Sequence, residues 1–446
     1  MSTHLSHGQI SAGSMVFLLS APVMIPMSMF AGGLLAFGDT EQLSILMEKF
    51  LLFGSAIILA LAVFLQHNLN RFSYLIVLGA VVCLVGFTPA VVEMWVGLFR
   101  LDMQLAVPLL RIVCICFWLL YVINVDWSSR TLWMALLLAG LVVNGANMLF
   151  WIQQGRPIPF SGLTPQKNVL ATVGFCGAFV GTLGTMQNRN RLVLYLGSIG
   201  LIVMSMVVLY ASGGRKSLLG MIVAVGIYWG WQFIRHNAWL TTSVFLASCV
   251  GSYVIVPIYL NLESMPFFWV LDGFLVSSQN QDIYTGREIV WPDAMTQISE
   301  RPWFGYGQDY RCSIGRLADR LERGLSAHNQ SLAILYQSGI TGLLGALFFL
   351  WIVWWCLCRV AHHRDARLSA AFMIGIIISQ YFTASLLQNL FVGLGLWTII
   401  GSGIAHNMRN SNSQVHLDST DSDSEFEPDV FHGAELIEGR HLLAES

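Results

Sequence analysis

Charged residues are scarce in this sequence: Asp, Glu, Lys and Arg together make up 11% of its 446 residues. A soluble domain carries about 25%. Hydrophobic residues reach 55%, and the mean hydropathy is +0.65. The lack of charge excludes a soluble enzyme, a disordered protein and a nucleic-acid-binding protein, whereas the excess of apolar surface indicates a multi-span membrane protein.

Signals for cross-links, metals and processing are also missing. The eight cysteines form no C-x-x-C pair and no Cys/His cluster, so neither a disulfide framework nor a zinc site is indicated. The opening stretch MSTHLSHGQISAGS has no Lys or Arg, which is unlike the start of a cleaved signal peptide. We therefore expect the first apolar run to remain as a membrane span.

Long apolar runs are abundant, and a helix needs about 20 mostly apolar residues to cross a bilayer. We predict an all-α membrane protein with about twelve transmembrane helices, nine within residues 1–259 and three within 334–404. The predicted spans are 15–37, 50–66, 73–95, 104–124, 131–152, 168–186, 192–211, 217–234, 239–259, 334–358, 368–386 and 388–404. The last two nearly touch in sequence, which predicts a tight hairpin.

The distribution of Lys and Arg among the short loops places the N-terminus in the cytoplasm. Residues 260–333 then form one long, aromatic-rich periplasmic loop, and loops of this length are usually functional. Within it we predict short helices over DIYTGREIVWPDAMTQISER and GRLADRLERGL, with a Pro/Gly turn in RPWFGYGQDY. The acidic stretch 405–446 is predicted to be a disordered cytoplasmic tail.

In this orientation His328 is the sole histidine on the outer side, at the start of a span in SAHNQSLAIL. An imidazole at this place is a candidate general base, although a histidine that merely begins a helix is the alternative. Arg215 and Lys216 lie in ASGGRKSLLG, where small residues precede a helix start. Such a turn suits a phosphate ligand, and contact with lipid headgroups is the alternative.

Further cations fall on the same outer half: Arg287 in YTGREIVW, Lys167 beside Asn168 in GLTPQKNVLA, and Arg111 inside LAVPLLRIVCICF. A surface ion pair for Arg287 and snorkelling of the other two are the alternatives. Taken together, the cations predict binding of an anionic lipid-linked molecule such as a diphosphate. Arginine would stabilise the leaving group, and His328 would accept a proton. No paired acidic motif lies on this side, so we expect a metal-independent reaction.

Four segments, in this order, resemble the O-antigen ligase and polymerase superfamily of bacterial inner-membrane glycosyltransferases. They are GLTPQKNVLA, ASGGRKSLLG, TGREIVWPDAM with RPWFGYGQD, and SAHNQSLAILYQSGITGLLG, within about residues 160–350. The resemblance implies an enzyme of the inner membrane with a periplasmic active site. It would transfer a glycan from undecaprenyl diphosphate to an acceptor hydroxyl, with inversion and without a cofactor.

The resemblance also implies roles for individual residues. The diphosphate-binding arginines of the family correspond to Arg215 and Arg287, and its base or acceptor-orienting histidine corresponds to His328. The remaining residues expected to bind substrate are Lys216, Lys167, Asn168, Arg111 and Asn329. The expected partners are the lipid-linked donor, a lipid A–core or glycan acceptor and membrane lipids, with no nucleic acid.

Other functions compete with O-antigen ligation, which is the function we favour. A polymerase of the same superfamily would use a second lipid-linked repeat unit as the acceptor. A transporter of lipid-linked sugars or anions also fits twelve spans, but it should carry charges near the bilayer midplane and inverted repeats. A non-catalytic assembly partner would leave the placement of His328 and the arginines unexplained.

Overall fold

The computed structural model describes thirteen stretches of the chain. They are residues 71–99, 103–124, 130–163, 167–266, 269–270, 273, 287–307, 311–312, 325–326, 328–361, 363–384, 386–387 and 393–405. All of them belong to the first of two compact units, residues 1–407. The spans predicted at 15–37 and 50–66, and the tail predicted beyond residue 405, lie outside the described residues.

Helices account for nearly all of the described chain. In chain order they are α1 (Arg71–Gly86), α2 (Thr88–Phe99), α3 (Met103–Asn124), α4 (Arg130–Gln153), α5 (Lys167–Gln187), α6 (Leu192–Ala211), α7 (Arg215–Ile234), α8 (Ala238–Leu260), α9 (Arg287–Glu300), α10 (Gln330–Val360), α11 (Arg364–Ser379) and α12 (Gly393–Ala405). Short 3-10 helices occupy Leu262–Ser264 and Gln380–Phe382. Strands β1 (Arg311–Cys312) and β2 (Leu325–Ser326) pair antiparallel.

Within the described part of the chain, six helices are long and apolar enough to cross a membrane. They are α5, α6, α7, α8, α10 and the segment Leu136–Gln153 of α4. Every predicted span from 73–95 onward overlaps a described helix. The chain is therefore an all-α, multi-pass membrane protein, as the apolar runs predicted.

One detail of the predicted spans is wrong: the span predicted at 368–386 ends early, because α11 stops at Ser379 and a 3-10 helix follows at Gln380–Phe382. The span predicted at 73–95 corresponds to α1 and α2, and helical hydrogen bonds continue on both sides of Phe87. The hairpin predicted between 386 and 388 lies partly outside the described residues. The early end of α11 has a physical reason: the Gln380 side chain accepts a hydrogen bond from the backbone N–H of Leu386 at 3.1 Å, so polar groups there replace helical hydrogen bonds.

Small residues bring the membrane helices into close contact. A Cβ on Gly181 of α5 would lie 2.8 Å from the carbonyl oxygen of Ser198 in α6. Gly220 of α7 and Gly375 of α11 contact each other's backbone in the same way. Close backbone approach through small residues is the usual packing mode of helices in lipid, where burial of apolar surface gives no driving force.

Helix α9 lies against the ends of α8 and α10 and confirms the helix predicted around REIVWPDAM. Its Trp291 is fully buried against Tyr259 of α8, with ring centroids 4.9 Å apart. Val290, Leu332 and neighbouring side chains complete this apolar cluster. The second helix predicted in this loop, GRLADRLERGL, lies outside the described residues. Packing through Trp291 holds the first residue of α9, Arg287, close to α8.

Helix α10 is broken at Gly339, whose φ of 61° and ψ of −159° are not helical. The turn in RPWFGYG fills the break. The amides of Tyr306 and Gly307 donate to the carbonyls of Tyr336 and Gln337 at 2.9 and 2.8 Å. In return, the amide of Ile340 donates to the carbonyl of Pro302 at 2.8 Å. The Pro/Gly turn thus satisfies backbone groups that the broken helix would leave unpaired.

Candidate functional site

A cavity of about 440 Å³ lies where the starts of α5, α7 and α9 meet the end of α8. Its polar side chains come from five separate parts of the sequence: Lys167, Asn168, Arg215, Lys216, Tyr259, Arg287 and His328. The rest of the lining is glycine or apolar: Gly213, Gly214, Leu219, Ile255, Ile258, Leu262 and Phe382. None of these lining residues is Asp or Glu.

The turn before α7 holds Arg215 at the first position of that helix. Gly213 adopts a φ of 60°, a backbone conformation that favours glycine. Gly214 packs so closely that a Cβ there would overlap the side chain of Ala171 in α5. The turn is therefore pressed against α5, which places Arg215 and Lys216 beside Lys167 in the lining of the cavity.

Lys216 is the most deeply buried cation of the cavity, with 7% of its surface exposed. Its Nζ has no hydrogen-bond partner among the described residues. A buried amino group without a partner is costly, because its hydration is lost and nothing replaces it. An anion in the cavity would supply both a hydrogen-bond acceptor and a counter-charge.

Arg287, the first residue of α9, is held from two sides. Its Nη2 donates to the carbonyl oxygen of Phe382 at 3.1 Å, and its Cζ lies 5.6 Å from the centroid of the Phe382 ring. The Phe382 ring in turn stacks on Trp291 at 6.2 Å. Burial lowers the pKa of Arg287, while Tyr259 and Glu288 act in the opposite direction. The aromatic cluster fixes the guanidinium without neutralising it.

His328 faces the same cavity from the residue before the cap of α10. Its backbone φ of 48° lies in the left-handed region, which is uncommon for a residue other than glycine and often marks a functional position. Burial, and then the charges of Arg287 and Lys216, lower the pKa of His328 to about 4. At neutral pH the imidazole is therefore uncharged, and it stays a weak base until an anion offsets the nearby positive charges.

Asn329 lies beside this histidine but is not part of the cavity lining. It is fully buried, and its Oδ1 accepts the N–H of Leu332 at 3.0 Å, which caps α10. Its Nδ2 donates to the carbonyls of Ser252 and Tyr381 at 2.8 and 3.0 Å. These bonds tie the start of α10 to α8 and to the 3-10 helix after α11, and so fix the backbone next to His328.

The structure brings most of the sequence-predicted site residues together. Six of the eight line the cavity: Lys167, Asn168, Arg215, Lys216, Arg287 and His328. Arg111 is placed in α3, but its side chain is outside the described part. Asn329 does not line the cavity, because its side chain caps the start of α10.

Sequence reasoning missed Tyr259 and Phe382, which support Arg287 inside the cavity. Tyr259 looks like an ordinary aromatic residue at the end of a span. Phe382 was assigned to a continuous membrane helix. The sequence signal for Phe382 is the stretch SQYFT at residues 379–383, because its Ser, Gln and Thr are unusual together in a lipid-facing helix.

Comparisons with known proteins agree with the motifs. A family model described as O-antigen ligase matches residues 199–347. An O-antigen ligase from Pseudomonas aeruginosa is 26% identical over 221 residues, which are 48% of this chain and 47% of that protein. The chain thus aligns with about half the length of this curated relative. Together the two matches confirm the resemblance to the O-antigen ligase and polymerase superfamily.

Proposed function

We propose that this chain, given its resemblance to O-antigen ligases, transfers a glycan from undecaprenyl diphosphate to an acceptor hydroxyl at the periplasmic face of the inner membrane. One observation carries the proposal. Two arginines, two lysines and an uncharged histidine line a single cavity that has no carboxylate in its lining. Such a site suits a diphosphate together with a hydroxyl that must lose a proton.

Binding of the donor follows from the arrangement of the cations. The forked guanidinium groups of Arg215 and Arg287 match the oxygens of a diphosphate. Lys216 would gain the acceptor that it lacks among the described residues. Apolar residues at the end of α8, such as Ile255 and Ile258, would lie against the first isoprene units. The diphosphate would thus be held at the membrane surface with its glycan outside.

The transfer step requires one proton acceptor and stabilisation of one leaving group. His328 would take the proton of the acceptor hydroxyl while that oxygen attacks the anomeric carbon. The bond between this carbon and the diphosphate oxygen breaks, and its electron pair remains on the diphosphate. Arg215 and Arg287 stabilise the charge that develops there. Attack opposite the diphosphate inverts the anomeric configuration.

We also propose that the transfer needs no divalent metal, because the cavity itself supplies the cations that face the diphosphate. Purified protein should retain its transfer rate in excess EDTA, measured by release of undecaprenyl diphosphate. A control with added magnesium should show the same rate. Loss of activity in EDTA that a divalent ion restores would contradict this part of the mechanism.

The acceptor decides between ligation and polymerisation, and we propose lipid A–core. The test is reconstitution of the full chain in liposomes with an undecaprenyl-diphosphate glycan and both acceptors in competition. Glycan attached to lipid A–core supports ligation. Chain growth on the lipid carrier would indicate a polymerase. Movement of the intact donor across the bilayer without a new bond would indicate a transporter and overturn the proposal.

A further inference from the structure

A second cavity, of about 550 Å³, lies between α5, α7 and α11. Its polar end is far from the first cavity along α7. Arg215 begins this helix at the first cavity, whereas Gln232 lines the second cavity 17 residues later, about 25 Å along the helix axis. If the first cavity is periplasmic, the polar end of the second faces the cytoplasmic surface.

The lining of this second cavity changes character along its length. The end nearer the middle of α7 is apolar, with Met221 and Ala224 of α7 and Phe372 of α11. The polar end, nearer the last residues of α7, has Gln232, Arg364 and Arg367. None of the lining residues is Asp or Glu. A ligand that fits this gradient has one apolar end and one anionic end.

The arginines at the polar end of this cavity are placed to bind an anion. Arg367 lies with its Cζ 5.0 Å from the centroid of the Tyr228 ring, and its Nε is buried without a hydrogen-bond partner among the described residues. Arg364 is exposed at the first residue of α11. The adjacent carboxylate of Asp365 accepts a hydrogen bond from Gln187 at 3.0 Å. Two guanidinium groups with forked donors suit a phosphate oxygen.

One side of the cavity opens to the lipid-facing surface of α7. Trp229, in the cavity lining, is 77% exposed, and Val225 is 48% exposed. Helix α7 is apolar enough to cross a membrane, and exposed side chains on a helix that does so would face lipid rather than water. Tryptophan near the end of such a helix is typical of the headgroup region. A hydrated phosphate ion would leave the apolar half of the cavity unfilled.

We propose that this cavity binds an anionic phospholipid, with its phosphate between Arg364 and Arg367 and an acyl chain along Met221, Val225 and Phe372. A zwitterionic lipid is disfavoured because its own cation would face two arginines without a carboxylate in the lining. This site is separate from the proposed donor cavity and does not depend on the glycan-transfer activity.

Native mass spectrometry of the delipidated full chain in detergent tests the site. Phosphatidylglycerol, phosphatidylethanolamine and inorganic phosphate are titrated separately. Phosphatidylglycerol should bind about tenfold or more tightly than the other two. The double variant Arg364→Gln, Arg367→Gln should lose this preference. Arg235→Gln, at an exposed arginine just after α7 and outside the cavity, should retain it.

A second variant distinguishes loss of the lipid site from misfolding of the double variant. Val225→Trp fills the apolar half from the lipid-facing side and should weaken phosphatidylglycerol binding while both arginines remain. Equal binding of phosphatidylglycerol and phosphatidylethanolamine would overturn the proposal. So would inorganic phosphate binding as tightly as the lipid, or binding of the lipid that neither set of substitutions affects.

Discussion

At the scale of single residues, His328 combines four features, of which the sequence could show only two. Its position before a membrane helix and its isolation from other histidines were visible in the sequence. Its left-handed backbone and its burial beside Arg287 were not, because both depend on packing between distant segments. Burial and nearby positive charge together keep the imidazole uncharged, as a proton acceptor must be.

The first prediction at this scale concerns the titration of His328. Without donor, its imidazole should titrate with a pKa of about 4, because burial and the charges of Arg287 and Lys216 disfavour the protonated form. Bound diphosphate should raise this pKa, because its negative charge offsets those cations. NMR of histidine-labelled protein in detergent can measure both values, with His328→Gln identifying the resonance.

The lowered pKa of His328 also makes the stability of the folded chain depend on pH. Between pH 6.5 and about 4 the unfolded chain binds a proton at residue 328 that the folded chain does not bind. The free energy of unfolding therefore falls as the pH is lowered through this window. A titration of His328 near pH 6.5 that donor leaves unchanged would contradict the burial and charge described for the cavity.

At the scale of helices, most of the architecture was predictable, and the failures share one cause. Apolar length predicted spans such as α6 and α7 well, because a lipid-facing helix must be apolar over its whole length. It missed the break at Gly339 and the early end of α11. At Gly339 hydrogen bonds from a distant segment replace helical ones, and after α11 a side chain of the same segment does so. Hydropathy carries no information about such partners.

The break in α10 leads to a prediction for Gly339→Ala. Its φ and ψ lie in a region that is essentially confined to glycine, and a Cβ there would overlap the backbone of Trp303. We expect the free energy of unfolding to fall by about 1–3 kcal/mol. The amides of Tyr306 and Ile340 should be less protected against hydrogen exchange. Hydrogen exchange with mass spectrometry measures this protection.

Gly226→Ala provides the matched control, because nothing lies within 4 Å of a Cβ placed there. That variant should exchange like the wild type at residues 302–307 and 336–341. Unchanged protection in Gly339→Ala would mean that the hydrogen bonds between RPWFGYG and α10 do not hold the break.

Contact between α5 and α6 gives a second prediction at this scale. Gly181→Val should lower the thermal unfolding temperature in detergent, because its Cβ would lie 2.8 Å from the Ser198 carbonyl oxygen. Overpacking of this kind costs about 1–3 kcal/mol. Gly200→Val on α6 adds the same side chain where no atom lies within 4 Å, and it should unfold near the wild-type temperature. Equal unfolding temperatures for the two variants would argue against close packing here.

At the scale of the whole molecule, the motifs indicated which residues belong to the site but not how they are held. Lys167, Arg215, Arg287 and His328 are far apart in sequence, and their shared place on the outer half, together with the resemblance to a family, predicted that they act together. The polar residues around Phe382 mark an irregular stretch in the sequence, but the support of Arg287 by Phe382 depends on packing between distant segments. The fold therefore explains how these cations are held around one cavity.

If this cavity carries out glycan transfer, the variants His328→Ala and Arg215→Ala should differ from the wild type in the initial rate of transfer in liposomes. Arg301→Ala is the matched control, since Arg301 is exposed beside the Tyr306 ring and does not line the cavity.

His328→Ala and Arg215→Ala should each lose about 10²-fold or more in rate while remaining folded, and Arg301→Ala should stay near the wild-type rate. Near-normal transfer by folded His328→Ala and Arg215→Ala would mean that glycan transfer does not take place in this cavity.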